Sequence, residues 1–229
     1  MSILDNSYIM RKILISRDKK VLTTNKFVNR RFLLIGTILA SSVVVPVAAS
    51  ADEQAEREQA AKQVTQQFVK QLGGHLKKEM KANGPVAAIK VCKDVAPDIV
   101  NQLSIENGWR VSRVTNKVRN PSSGLPDQWE SKVLAEFEAL AKKGEEYSSM
   151  SKSAVVEENG QSYYRFMKPL AIKPVCLSCH GSEEDIPATV QAELAKHYPF
   201  DQAVNYKVGD LRGAVSIKQP MTVPLKKTF

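Results

Sequence analysis

The sequence predicts an α+β fold with an antiparallel sheet, and three observations support this prediction. Apolar residues recur every three or four positions over 53–103, which is typical of amphipathic helices. Two segments in which apolar and polar residues alternate flank Asn159-Gly160, the preferred pair for a type I′ hairpin turn. A further strand-like segment follows at 211–217. Helices that come first and strands that follow, joined by hairpin turns, indicate the α+β class.

Two helices are predicted at the start of this domain. The first covers 53–82, and its apolar stripe consists of Val64, Phe68, Leu72 and Leu76. Asn83-Gly84-Pro85 ends it, and the proline suits the first position of a second helix over 85–103. Cys92 lies on the apolar, inward face of this second helix. Pro97 is expected to kink or split it, because proline removes a helical hydrogen bond.

The rest of the chain is predicted to alternate between strands, helices and loops. The predicted elements are a strand at 109–114, a loop at 119–124, a helix at 127–142, hairpin strands at 154–158 and 161–167, a helix at 190–197 and a strand at 211–217.

Residues 1–51 have the order of a secretory signal peptide, which predicts a periplasmic protein. Arg30-Arg31 precedes an apolar run over 32–49, and Ala49-Ser50-Ala51 supplies small residues for cleavage. An uncleaved membrane anchor is the alternative, although the run is shorter than the roughly 20 residues that a span needs. The paired arginines also resemble a twin-arginine signal, a route that exports folded proteins.

Residues 52–229 form a single predicted domain, long enough to bury a core. The whole chain carries a formal charge of +9, but 8 of its 33 basic and 2 of its 24 acidic residues lie in the leader. The remaining domain therefore carries only +3. This balance is no argument for nucleic-acid binding, and no nucleic-acid partner is expected.

The segment Cys176–His180 carries the pattern C-x-x-C-H, the attachment signature of a c-type haem. In this chemistry Cys176 and Cys179 form thioethers with the porphyrin vinyl groups, and His180 binds the iron. A zinc site is disfavoured because the third cysteine has no C-x-x-C partner, and a thioredoxin pair because the motif lies late in a Pro-flanked loop. Haem attachment also favours export of an unfolded chain over the twin-arginine route.

The second axial ligand of the iron has several candidates. Cytochromes c commonly use Met or His, which makes Met167 and His197 the default candidates. Cys92 is favoured instead. It is a lone thiol in an exported chain, where an oxidising compartment makes a free thiol a liability unless it is buried or bound. It also lies on an inward helical face, where it could bind the iron. Cys92 as a small buried apolar residue is the alternative. The remaining candidates are His75, Met80, Met150 and Met221.

Four ordered blocks resemble a bacterial family of single-haem c-type sensor domains with a PAS-like fold. The blocks are Ala87–Cys92 followed by Ala96-Pro97, Gly108–Arg113 with Arg119-Asn120-Pro121 and Asp127–Glu130, Tyr164–Phe166 leading to Cys176–Gly181, and Asp201–Ser216. The resemblance implies a PAS-like antiparallel sheet with flanking N-terminal helices. It also implies His and Cys axial ligands, which fall on His180 and Cys92 of this chain.

These features predict an exported monohaem cytochrome that acts as a low-potential redox or gas sensor. A periplasmic electron-transfer cytochrome is the alternative, and no enzymatic machinery is recognised. The expected partners are haem and either a small gas or a redox protein, with membrane contact only through an uncleaved leader. Arg113, Arg119 and Arg165 are candidate partners of the haem propionates, because guanidinium groups suit carboxylates.

Overall fold

A four-stranded antiparallel sheet forms the centre of the fold. The computed structural model describes residues 50–226, and within them the strands lie in the order β1-β4-β3-β2. Their bounds are Arg110–Val114 for β1, Lys152–Glu158 for β2, Gln161–Ala171 for β3 and Leu211–Pro220 for β4. Asn159 and Gly160 join β2 to β3 with φ angles of 53° and 77°, as the type I′ turn requires. The α+β class is therefore confirmed.

Helices cover both faces of this sheet. Their bounds are Ala51–Lys90 for α1, Ala96–Asn107 for α2, Pro121–Gly124 for α3, Gln128–Lys142 for α4, Leu177–His180 for α5 and Ala188–His197 for α6. The predicted helices at 127–142 and 190–197 correspond to α4 and α6. The short helix α3 lies where a loop was predicted, because Asn120 caps it and Pro121 starts it.

The predicted break after the first helix is present as a kink inside α1. Gly84 has φ 78° and ψ −176°, which are not helical angles. Glycine accepts this positive φ without the steric cost that other residues carry. Helical geometry resumes at Pro85 and continues to Lys90, so that the chain beyond the kink leads directly to Cys92.

Two apolar clusters, one on each face, hold the helices to the sheet. On one face, side chains from α1 and α2 pack against the strands, and the buried members include Val64, Phe68, Leu103, Tyr164, Phe166, Val215 and Ile217. On the other face, Val133, Leu134 and Phe137 of α4 pack against Met150, Met167 and Ala214. Helices thus cover both faces of the sheet.

Arg165 belongs to the structural core rather than to a ligand site. Its guanidinium forms ion pairs of 2.7 Å with Asp127, 3.1 Å with Glu130 and 2.9 Å with Glu158. It also lies 4.6 Å from the ring of Trp129. A guanidinium with three carboxylates is already neutralised, so the expectation that Arg165 pairs with a haem propionate is wrong.

The predicted signal peptide lies almost wholly outside the described residues, which begin at Ser50. Ser50 caps α1 by accepting a hydrogen bond from the Glu53 N–H at 3.2 Å. Over residues 50–226, none of the helices is long and apolar enough to cross a membrane.

Candidate functional site

The C-x-x-C-H motif forms a compact helical turn beyond the end of β3. A 3₁₀ turn, Pro174–Cys176, leads into the four-residue helix α5. Residues three and four apart lie on one side of a helical turn, so this geometry groups Cys176, Cys179 and His180. All three side chains are partly buried, and both thiols are free.

Gly181 ends this turn in a place that has no room for a side chain. A Cβ atom there would lie 2.6 Å from the Asp185 Cβ and 2.8 Å from the Leu177 carbonyl oxygen. The close approach allows the Asp185 carboxylate to accept hydrogen bonds from the Ser182 N–H at 2.9 Å and hydroxyl at 2.8 Å. The residue after the motif is therefore fixed by packing.

The segment 201–206 holds His180 through both its ring and its backbone. The His180 Nδ1 lies 2.7 Å from the Ala203 carbonyl oxygen, which only accepts hydrogen bonds, so Nδ1 carries the proton. The Tyr206 N–H donates to the His180 carbonyl at 3.0 Å, and the Asn205 N–H donates to the Gly181 carbonyl at 2.7 Å. This tautomer leaves the Nε2 lone pair available to a metal.

The surroundings of His180 also keep its imidazole neutral. Burial lowers the pKa of His180 well below its ordinary value, and the nearby guanidinium groups of Arg212 and Arg119 lower it further. A neutral imidazole is the form that binds a metal, because protonation would block Nε2. The edge of the His180 ring also faces Tyr206, with ring centroids 6.1 Å apart.

Arg119 braces the motif against segment 201–206. Its buried guanidinium donates to the Asp201 carboxylate at 2.8 Å, to the Ala203 carbonyl at 3.2 Å and to the Cys179 carbonyl. These partners use its Nε and one of its two terminal nitrogens, and Asp201 balances its charge. Arg119 is therefore a positioning residue, and its expected pairing with a propionate stays a prediction.

Cys92 lies in a π-helical turn, Val91–Val95, between α1 and α2. The Ala96 N–H donates to the Val91 carbonyl, five residues back, instead of following the α-helical pattern. Pro97 has no N–H to offer to Lys93, so an ordinary helix could not continue unbroken here. The kink expected at Pro97 thus takes the form of a π turn, which places Cys92 in a partly buried position.

The fold brings Cys92 close to the motif, although the two are far apart in the sequence. The Cys92 thiol is within electrostatic range of the Cys179 thiol, the Arg113 guanidinium and the Tyr198 hydroxyl. Burial raises the pKa of Cys179 to about 11, with Arg119 opposing the change. Both thiols therefore lie in one region, in which Cys179 packs against residues of α1 and α6.

The other candidate axial ligands occupy different surroundings. Met167 and Met150 are buried in the cluster against α4. His75 is exposed on α1, and Met221 packs at the edge of the cluster under α1 and α2. His197 pairs with Glu193 at 2.6 Å. Met80 is partly buried on α1. Cys92 is the candidate whose thiol interacts electrostatically with the motif cysteine Cys179.

Arg113 and Arg212 complete the polar part of the site. The Arg212 Nε lies 3.5 Å from the His180 Nε2, and its guanidinium stacks over Tyr206 at 5.6 Å from the ring centroid. Arg113 lies over Phe68 at 5.7 Å. Arg212 was not among the expected site residues, although it falls inside the last of the four resemblance blocks.

Two apolar clusters flank the motif. One contains Ile89, Ile186, Val190, Leu194 and Tyr198, with Cys179 packed against it. The other contains Ile172, Ala203 and Tyr206, with Cys176 and Leu177 packed against it. Within residues 50–226, including this site, no group of three or more His, Cys, Asp or Glu side chains could hold a bare metal ion.

Comparison with known proteins gives one family and one solved structure. The sequence model of the Tll0287-like family matches residues 42–220. The crystal structure of the cyanobacterial heme-protein Tll0287 is similar to this chain, with a TM-score of 0.54 and 22% sequence identity. The match covers 77% of this chain and 99% of that one. No curated protein shows a significant match.

Proposed function

Because the chain belongs to the Tll0287-like family, we propose that it is an exported monohaem c-type cytochrome that works as a low-potential redox or gas sensor. Cys176 and Cys179 bind the haem covalently, and His180 and Cys92 are its axial ligands. The similar solved protein is described as a heme-protein, and nearly its whole length matches the fold of this chain. The C-x-x-C-H motif makes covalent attachment the natural form of that binding here.

The observation that carries the proposal is the state of His180. Its Nδ1 proton is held by the Ala203 carbonyl at 2.7 Å, and its unprotonated Nε2 accepts only a long contact, of 3.5 Å, from the Arg212 Nε. Burial keeps the pKa of the imidazole low, so it remains neutral. A histidine directly after C-x-x-C that is prepared in this way fits an iron ligand.

The donor set and the apolar surroundings both fit a porphyrin. Both thiols that would form thioethers are free, and burial raises the pKa of Cys179, which favours the protonated form that adds to a vinyl group. The clusters around Cys176 and Cys179 offer apolar side chains to an apolar macrocycle. A bound haem supplies an iron that changes oxidation state by one electron.

Cys92 supports the low potential and the sensing role. A thiolate ligand donates electron density and favours ferric iron, which lowers the reduction potential relative to His/Met cytochromes. Cys92 also sits in the π turn that joins α1 to α2. Exchange of this ligand on reduction, or by a gas such as CO or NO, acts on the junction of two helices.

The periplasm is the proposed location, since the leader and the attachment chemistry both require export. Binding and sensing, rather than catalysis, is the proposed role, because two protein ligands fill both axial positions of the iron.

Two experiments test this function. The periplasmic fraction should yield a protein whose mass includes one haem, and its pyridine haemochrome spectrum should show two thioether bonds. Ferric EPR should show a low-spin thiolate signal that is lost in Cys92→Ala and kept in the matched control His197→Ala. An unchanged signal in Cys92→Ala excludes Cys92 as ligand, and absence of haem from the purified protein excludes the function.

An electron-transfer cytochrome is the second candidate. Val175, directly before the motif, is 52% exposed and offers an apolar contact close to the thioether positions. Weak redox complexes need only a small surface of this kind. Binding of CO to the reduced protein with loss of the thiolate supports sensing, whereas reversible reduction with both ligands retained supports electron transfer.

A further inference from the structure

The arginines of the described residues fall into three groups. The first group is buried and forms ion pairs: Arg57 pairs with Glu53, Arg119 with Asp201, and Arg165 with three carboxylates. Arg110 is exposed to solvent. Arg113 and Arg212 are partly buried, and neither has a carboxylate partner among residues 50–226.

Arg113 projects from β1 towards the region that contains Cys92. Burial lowers the pKa of its guanidinium, while the nearby Cys92 thiol raises it. Its only specific contact within the described part of the chain is the Phe68 ring. An aromatic face attracts a cation but does not use the hydrogen-bond donors of a guanidinium, so those donors remain available.

Arg212 projects from the start of β4 towards His180. Burial lowers the pKa of its guanidinium, as do Arg119 and Arg113, while Tyr206 and Asp201 oppose the change. Its hydrogen bond to the His180 Nε2 is long, at 3.5 Å, and it uses the lone pair that an iron would take. Iron binding releases this contact, so that the whole Arg212 fork becomes available to another acceptor.

Together these side chains leave two positive charges without an ion-pair partner. Three guanidiniums act on His180, namely those of Arg212, Arg119 and Arg113. One carboxylate, Asp201, forms an ion pair with Arg119 and acts on Arg212 only at longer range. Burying charge without a counter-charge is unfavourable, which makes this a place for a dianion. Ferric porphyrin with a thiolate ligand is neutral at its centre, so the haem propionates supply the two remaining negative charges.

We propose that Arg113 and Arg212 bind the two haem propionates and neutralise them. This inference rests on the proposed function, because it needs a haem on His180. The two guanidiniums are within electrostatic range of each other, as the neighbouring propionates of one porphyrin edge require. Guanidinium groups bind carboxylates through paired N–H donors, which also fixes the orientation of the porphyrin.

The test compares Arg113→Gln and Arg212→Gln with the control Arg110→Gln, which changes an exposed arginine of the same sheet. In the purified haem protein, each of the first two variants should shift the propionate bending bands of the resonance Raman spectrum. Each should also lower the reduction potential, because reduction adds an electron that a nearby positive charge stabilises. Arg110→Gln should change neither readout.

If the propionate bands shift in neither Gln variant, the proposal is overturned. If they shift in only one of them, the arginine changed in the other variant does not bind a propionate. Where a Gln variant carries no haem, the matching lysine variant, Arg113→Lys or Arg212→Lys, distinguishes charge pairing from a role in folding. Haem content restored by lysine supports the charge pairing, and haem lost again overturns it in favour of a role in folding. A wild-type protein without haem refutes the proposed function itself, independently of both arginines.

Discussion

Removal of the Arg119 guanidinium is expected to free the segment that holds His180. Arg119→Met keeps much of the aliphatic stem and deletes the donors to the Asp201 carboxylate, the Ala203 carbonyl and the Cys179 carbonyl. Asp201 is left with a carboxylate side chain that is 11% exposed and has lost its cation. The motif and segment 201–206 lose one of the groups that join them, and the remaining links are the His180 ring and the backbone bonds of Asn205 and Tyr206.

The magnitude follows from the burial of this ion pair. Deleting one partner of a buried pair costs about 3–5 kcal/mol, because the remaining charge has no counter-ion. For a domain of this size, 1 kcal/mol corresponds to roughly 2–4 °C in Tm. Arg119→Met should therefore lower the Tm by about 6–20 °C.

Thermal unfolding followed by circular dichroism measures this effect, with Arg110→Met as the exposed control. A double-mutant cycle with Asp201→Asn isolates the ion pair, and its coupling energy should reach about 1–3 kcal/mol. Amide exchange of Asn205 and Tyr206 should also accelerate, since their N–H groups bond to the motif. A Tm for Arg119→Met equal to that of the control would refute the reasoning.

Two further predictions concern the sheet. Gly213→Ala should destabilise the protein by about 2 kcal/mol or more in urea unfolding, because Gly213 has φ 145° and its Cβ would lie 2.4 Å from the Val114 carbonyl oxygen. Gly73→Ala, within a helix and in open space, should instead stabilise by about 0.5–1 kcal/mol, and equal effects at both sites would contradict this. The hydrogen bond from Lys218 and the charge of Arg165 lower the pKa of Glu158, so its contribution to stability is present above the unfolded pKa and lost as pH falls through the folded pKa. Glu158→Gln should therefore unfold more easily at pH 7 and lose less stability on acidification below about pH 5, and a slope equal to that of the wild type would count against it.

The regular elements could be predicted because local patterns determine them. The four-residue stripe from Val64 to Leu76 and the Asn159-Gly160 pair each encode one element without reference to the rest of the chain. Strand ends were less predictable, since β3 continues to Ala171 and β4 to Pro220 through pairing with each other. Such pairing is a tertiary property and leaves little trace in either segment alone.

The candidate site was predictable in its chemistry but not in its electrostatics. C-x-x-C-H is a local motif, and Cys92 can be identified from the sequence because it is the one cysteine outside that motif. Arginine roles depend on which carboxylates the fold brings near, so Arg165 was assigned wrongly and Arg212 was missed. The π turn at Cys92 follows from Pro97, but its geometry needs the packing of two helices.

The motif depends on the rest of the domain because α5 is too short to be stable by itself. Four residues form a single turn, and isolated helices of this length do not persist in water. The last carbonyls of a helix lack internal partners. Here the Gly181 and Tyr206 N–H groups bond to the Leu177 and His180 carbonyls, and Arg119 bonds to that of Cys179. The geometry that prepares His180 for iron is therefore imposed by residues distant in the sequence, and it exists only once the sheet and segment 201–206 have folded.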